Sequence, residues 1–454
     1  MLKKSISHAV LSLALTGTLG CALDGTPSED SEFSDVDGKA DSADTVSGDA
    51  AHEWMLLTTQ LVKHDKISPP VAARIYGYVG LALHESAQAG RRGASNRSFA
   101  QELFELAGMP LPGRGTHKVG LSVAQATSKV LRQFFTNADG ITKIDELRQK
   151  HLIAFKTSTA NSKRSMDFGD AVAQALITRA KSDGFDATRG NTFTPPSGPD
   201  KWIPTGPVRS PLEPFWGTLK TLSSGTTAAD CLAQTDRPVA FSTDEQSAMY
   251  AQAKATYDTV NSSTVEEQEI AFYWADSPGL TSTPPGHWME IAAQEGKRAK
   301  QSMSEATEMY ALLGTVEMDA FITGWKIKYT YNLIRPESYI QKYIDSSWKP
   351  RLATPPFPEY VSGHSIGSGA AAAVLTHVFG SDHAFKDATR KDLQISDANG
   401  ESHVLGMRSF ASFEAAALEA AESRLFGGIH FPMGNENGLT AGECVATVLL
   451  DAVK

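Results

Sequence analysis

The sequence predicts an all-α protein: two packed helical bundles, a long proline-rich connection between them and one small β-hairpin. Three observations support this. Apolar residues recur at intervals of three and four along most of the chain. Strand-like alternation is confined to about residues 392–405. Between 185 and 240 the helical period vanishes in a stretch punctuated by Pro195, Pro196, Pro199, Pro204, Pro207, Pro211 and Pro214.

Taken in order, residues 1–20 have the build of an export signal, with Lys3 and Lys4 before an apolar run that is too short to span a bilayer. Leu19-Gly20-Cys21 is similar to a bacterial lipoprotein processing site, which predicts either a lipid anchor at Cys21 in the cell envelope or plain secretion. Residues 22–49 carry eight acidic groups by residue 44 against the single Lys39, and too little apolar surface to fold; they are expected to form a disordered tether. The N-terminal bundle is expected over about 50–184. Its helices are read from apolar spacing at 54–62 and 71–83 and over about 117–136, 141–157 and 160–182, with Pro69-Pro70 at a helix start, where a missing N–H is tolerated.

The proline-rich stretch is expected to be ordered, because Trp202, Phe215 and Trp216 would be costly to leave in water. A C-terminal catalytic bundle is expected over about 241–454. Helical spacing returns at 243–260, 264–275 and 287–300, then over about 304–334 until Pro336 intervenes. Residues 365–379 are rich in Gly and Ala, suited to close helix contact. Residues 392–406 form the hairpin candidate, and 413–425 and 439–453 complete the set.

Composition excludes some functions. A net charge of −10 argues against nucleic acid as a partner, since its phosphates need a positive face. The spacing of Cys21, Cys231 and Cys444 fits no cysteine-based zinc site and leaves open whether Cys231 and Cys444 pair. Within this acidic chain, basic residues gather in three stretches: Lys328-x6-Arg335-Pro336, Ser362-Gly363-His364 and Ser423-Arg424-x5-His430. Lys328 and Arg335, seven apart, are expected to project from one helical face. Ser362-Gly363-His364 precedes a helix, whose unpaired N–H groups favour anions. Gly427-Gly428 can turn His430 back toward Arg424. Arginines, a lysine, a hydroxyl and a glycine amide suit a tetrahedral oxyanion. Each stretch alone also fits a structural role; the joint occurrence points to a site.

In this order the three stretches resemble the signature of vanadium-dependent haloperoxidases and type 2 phosphatidic acid phosphatases. Thr283-Pro-Pro-Gly-His287-Trp288, Trp202-Ile-Pro, Pro214-Phe-Trp-Gly217 and Pro356-Phe357-Pro-Glu-Tyr360 are similar to bacterial members of the haloperoxidase branch. The resemblance spans roughly residues 50–453 and implies two helical bundles. It implies that Lys328, Arg335, Ser362, Gly363 and Arg424 hold the anion, that His430 is the ligand to vanadium or the phosphorylated nucleophile, and that His364 is the general acid/base. Trp325 and Phe357 match aromatic positions beside the halide in chloroperoxidases and equally suit a core.

The leading expectation is an exported, vanadate-dependent enzyme acting on hydrogen peroxide and a halide, touching membrane only through an anchor at Cys21. The alternatives are a metal-free acid phosphatase acting on a phosphate ester through His430 and His364, and a catalytically weak phosphate-binding protein at the cell surface. Two positions depart from the signature. Val361 replaces a proline. Gly434 replaces an aspartate that would orient His430, leaving Asn435 or Glu436 to substitute. Restoring aspartate at 434 is then expected to strengthen anion binding.

Overall fold

Most of the periodic segments are helices in the computed structural model, which describes residues 41–453 except 92–97, 100–107, 207 and 397–401. The expected signal segment, Cys21, most of the acidic tether and the tip of the hairpin at 397–400 lie outside the described residues. Among the described residues, the longer helices before the proline-rich stretch are α1 (Asp49–His64), α2 (Pro69–Ala87), α3 (Val119–Phe134), α4 (Ala138–Ala154) and α5 (Thr159–Ser182). Within the 185–240 stretch lies α6 (Thr227–Gln234), and after it come α7 (Ala248–Ser262), α8 (Val265–Tyr273), α9 (Thr283–Ala299), α10 (Met303–Tyr331), α11 (Pro336–Tyr343) and α12 (Gly363–Phe379). Strands β1 (Phe385–Asp387), β2 (Gln394–Ser396), β3 (Ser402–Val404) and β4 (Arg408–Phe410) precede α13 (Phe413–Phe426) and α14 (Pro432–Val453). No helix among the described residues is long and apolar enough to cross a membrane.

α10 organises the rest. Ser302 and Glu305 form a reciprocal capping box at its start, satisfying N–H groups that a helix end leaves unpaired. Its 29 residues are apolar on nearly every side, because the helix is covered by α2 on one flank and by α12 and α14 on another. The two expected bundles therefore share one core along this helix. α12 and α14 approach closely: a Cβ on Gly369 would overlap the Leu439 carbonyl, and one on Gly442 the Ile366 carbonyl. Small residues at the crossing let the backbones touch, which fixes α12 beside the segment carrying His430.

Three features differ from the sequence expectation. Residues 41–48, assigned to the tether, pack on the body. Ala43 is fully buried, its N–H bonds to the Gly90 carbonyl, and Asp41 pairs with Lys118. The proline-rich stretch is ordered, with Trp202 and Trp216 buried, but it also contains α6, whose Cys231 bonds to Cys444 of α14. The expected hairpin forms between β2 and β3, and it sits inside a second antiparallel ribbon, β1 with β4, in which Phe385 faces Phe410.

Candidate active site

The proline-rich stretch closes over the C-terminal half of α10 through main-chain contacts. Trp202 N–H donates to the Asn332 carbonyl, Leu212 N–H to the Pro356 carbonyl, and the Leu212 carbonyl accepts from Trp325 Nε1 and Tyr329 Oη. Beneath it lies a cavity of about 440 Å³ whose walls include Leu212, Phe321, Trp325, Pro355 and Phe357. Its floor carries Gly363, His364, Arg424 and His430, with Asp276 to one side. Arg335 touches His430 directly, and Lys328 and Ser362 stand behind this layer.

Lys328, in the last turn of α10, donates Nζ hydrogen bonds to the carbonyls of Pro358 (3.0 Å) and Glu359 (2.9 Å), which leaves one ammonium proton for another acceptor. Arg335 does not share its helical face. Asn332 takes the left-handed conformation (φ 50°) and ends α10, so Arg335 reaches the site from extended backbone ahead of α11. Its Nε donates to the Phe357 carbonyl (2.9 Å), and Nη1 to the Ile429 carbonyl (2.6 Å) and to His430 Nε2 (3.1 Å). Nη2 is buried with no partner.

Ser362 is the N-cap of α12, its hydroxyl accepting from Ser365 N–H (3.3 Å) while its own N–H donates to the Gly434 carbonyl. Gly363 is the first helical residue, so its N–H has no acceptor within the helix. His364 donates one ring N–H to the Trp274 carbonyl, and its buried Nε2 has no partner. Arg424, near the end of α13, is anchored to Ser423 Oγ and the Ala271 carbonyl, both at 3.0 Å. Gly428 (φ 73°) then turns the chain, and His430 follows just before α14.

One functional residue escaped the sequence reading. Glu359 Oε1 accepts from His430 Nδ1 (2.9 Å) and from Phe431 N–H (3.0 Å). This fixes the His430 tautomer with the proton on Nδ1 and the lone pair on Nε2, facing Arg335 and the cavity. Neither residue suggested from sequence does this: Asn435 faces Ser365 Oγ, and Glu436 is exposed. A Cβ on Gly434 would overlap Glu359 Oε1, so glycine here makes room for a carboxylate arriving from another loop. The only sequence signal was a glutamate in the Pro356–Tyr360 stretch, five residues before His364.

Electrostatically the site is short of negative charge. Lys328, Arg335 and Arg424 are all buried. Burial and Arg335 hold Lys328 far below the ordinary lysine range, despite Glu359. Burial brings Arg335 and Arg424 each down to about 10. Burial, then Arg335, Lys328 and Arg424, keep His430 neutral, so Nε2 keeps the lone pair that accepts from Arg335 Nη1. Burial lifts Glu359 to about 7, against the pull of Lys328 and Arg335. An oxyanion in the cavity would relieve all three cations. The orphaned Arg335 Nη2, the Gly363 amide and the spare Lys328 proton are donors such an anion needs, and neutral His364, its pKa held low first by burial and then by Arg424, turns an unpartnered Nε2 lone pair that can take a proton from it, so the residues fit vanadate or phosphate. Among the described residues, no three His, Cys, Asp or Glu side chains gather as a cation site.

Comparison with known proteins agrees with this chemistry. Residues 308–454 match the family described as the VCPO second helical-bundle domain. The chain is 23% identical to the vanadium chloroperoxidase of Curvularia inaequalis, over 80% of this chain and 74% of that protein. It superposes on the crystal structure described as that of the first bacterial vanadium-dependent iodoperoxidase with a TM-score of 0.80 and 32% identity, covering 90% of this chain and 97% of that one. A bacterial vanadium-dependent chloroperoxidase in its holo form shares the fold (TM-score 0.60, 14% identity, 86% and 93% coverage).

Proposed function

Because the chain belongs to the vanadium-dependent haloperoxidase family, we propose that it is an exported enzyme that oxidises a halide with hydrogen peroxide, at a vanadate held by Lys328, Arg335, Ser362, Gly363, Arg424 and His430. The observation that supports this most is the arrangement of His430. It lines the cavity with Nε2 as the acceptor, beside the unpartnered Arg335 Nη2 and the unpartnered His364 Nε2, and its Nδ1–H is held by Glu359.

Vanadate, when bound, would supply the Lewis-acid centre that activates peroxide toward the halide. The protein's part is electrostatic and acid–base. Lys328, Arg335 and Arg424 neutralise the anion, the α12 N-terminus donates through Gly363 and Ser362, and His430 offers nitrogen coordination. His364 Nε2 exchanges protons with the peroxide oxygens, in a reaction that consumes one proton: peroxide, halide and H⁺ give hypohalous acid and water. Trp325 and Phe357, with ring centroids 5.1 Å apart, offer the halide a weakly hydrating wall. Iodide is the halide proposed first, because it is the most easily oxidised and the relative sharing 32% identity is an iodoperoxidase. The Cys231–Cys444 disulfide supports export, since such bonds persist in oxidising compartments. The mass of the mature N-terminal peptide tests lipidation at Cys21.

The deciding experiment offers the purified chain iodide or bromide with peroxide, with and without vanadate, and in parallel a chromogenic phosphate ester. Vanadate-dependent halide oxidation is expected to exceed ester hydrolysis. Robust hydrolysis with no halide oxidation at saturating vanadate would establish the phosphatase reading instead.

A further inference from the structure

His287, in the Pro284–Trp288 stretch, takes no part in holding the anion, yet it is fully buried between two carboxylates. Its Nδ1 lies 2.8 Å from Asp276 Oδ2 and its Nε2 2.9 Å from Asp387 Oδ2. A neutral imidazole carries one N–H and would turn a lone pair on one of them; only the imidazolium satisfies both. Burial and Arg390 oppose that charge, but the two aspartates prevail and raise His287 to about 8.

Two of the contacts of His287 lead to the cavity. Asp276, held at φ 46° in the turn between α8 and α9, lines it beside His364 and Arg424. Its second oxygen accepts two bonds from Arg390 (3.0 and 2.7 Å), which in turn donates to Glu290. Two residues earlier, the Trp274 ring packs on the His287 ring with centroids 4.5 Å apart, and the Trp274 carbonyl holds His364. The charged or titratable groups around His287 are Asp276, Asp387 and Arg390, with Glu290 behind Arg390, His364 and Arg424 toward the cavity, and Tyr273, whose hydroxyl donates to the Asp387 carbonyl.

We propose that protonated His287 is a positioning residue for halide oxidation: by clamping Asp276 to Asp387 and bracing Trp274, it fixes the carbonyl that orients His364 and the carboxylate whose charge acts on it. This rests on the reading of His364 as the acid–base group.

The test uses the full chain. Histidine ¹⁵N NMR of vanadate-free protein is expected to show both His287 ring nitrogens protonated at pH 7 and one proton lost near pH 8; a single N–H at pH 6 would overturn the proposal. In His287→Gln, vanadate affinity is expected to stay within about threefold of native while kcat falls roughly tenfold, the scale of losing a group that holds an active-site residue in place. The native-to-variant ratio of kcat should shrink as pH rises through about 8, where the native clamp loses its own proton. A ratio constant from pH 6 to 9 marks a merely structural histidine and overturns the proposal. Asp387→Asn leaves the Asp276 side intact and guards against misfolding of the first variant. It should move that transition roughly one unit lower, having removed one of two stabilising charges; an unmoved transition counts against the clamp. If the native chain oxidises no halide while His287 titrates as expected, the function reading fails and not the clamp, and the same kcat ratios are then measured on phosphate-ester hydrolysis.

Discussion

Glu359 Oε1 stands 2.9 Å from His430 Nδ1, in the space that a side chain on Gly434 would occupy. Glu359 and His430 are 71 positions apart in sequence, and glycine at 434 leaves the room that the glutamate fills. Glu359→Gln keeps the size of the side chain but can present its NH₂ to Nδ1, favouring the wrong tautomer. Vanadate binding should weaken roughly 10–100-fold, the usual cost of losing a partner behind a metal-ligating histidine. Titration of vanadate by calorimetry measures it, and unchanged affinity would remove Glu359 from the account.

Three buried cations with too few counter-charges make the vanadate-free protein electrostatically strained, so anions should stabilise it. At a hundredfold excess over Kd, vanadate or phosphate should add about 2.7 kcal/mol to stability, seen as a rise in Tm. Arg335→Ala or Arg424→Ala should each weaken vanadate binding by ~2–5 kcal/mol, because truncation leaves the anion's oxygens unpaired in a desolvated site. The two anions should compete. A melting curve indifferent to both would sink the oxyanion assignment.

The histidines should fail in different ways. His430→Ala removes the Nε2 proposed to coordinate vanadium, so vanadate should not be retained even at high concentration. His364→Ala leaves the anion donors in place; vanadate should stay bound while turnover falls roughly 10²–10⁴-fold, as for a lost general acid or base. Equal loss of vanadium from both variants, by elemental analysis after gel filtration, would contradict the separation of roles.

What was legible in the sequence was local. Apolar spacing located most of the long helices because burial on one side imposes a period on the chain, and Ser362-Gly363-His364 marked a helix start because N-caps draw on few residue types. What was not legible depended on termination and tertiary approach. Asn332 halts α10 three residues before Arg335, so a spacing argument across both positions assumed a helix that had already ended. α6 was hidden in a stretch whose prolines spoil any periodic window, and α11, at eight residues, is too short to show a period. Glu359 meets His430 only because the close packing of α12 on α14 brings two loops together, and no local pattern encodes that distance.

The Cys231–Cys444 bond joins α6 to α14, closing a loop of 213 residues around most of the catalytic half. Replacing both cysteines by alanine should cost about 2–5 kcal/mol, chiefly by freeing the unfolded chain. Thermal melting with and without reductant checks this, and native protein whose Tm ignores complete reduction would show that the bond contributes nothing.

Gly434→Asp is the sharpest test of how the site is built. From the signature alone, aspartate here should orient His430 and tighten anion binding. The packing argues the reverse. A Cβ at 434 overlaps Glu359 Oε1, and Glu359 cannot retreat freely, since Phe431 N–H and His430 both hold that oxygen. The single variant should therefore lose stability by ~1–3 kcal/mol, the cost of overpacking a filled site, and bind vanadate more weakly than native. Removing the obstacle should reverse the sign. With Glu359→Ala in the same chain, the new aspartate gains both the space and an unpartnered Nδ1–H, so the double variant should bind vanadate at least tenfold more tightly than Glu359→Ala alone, a coupling expected only of residues in contact. Additive effects of the two substitutions would show that the positions do not share one role.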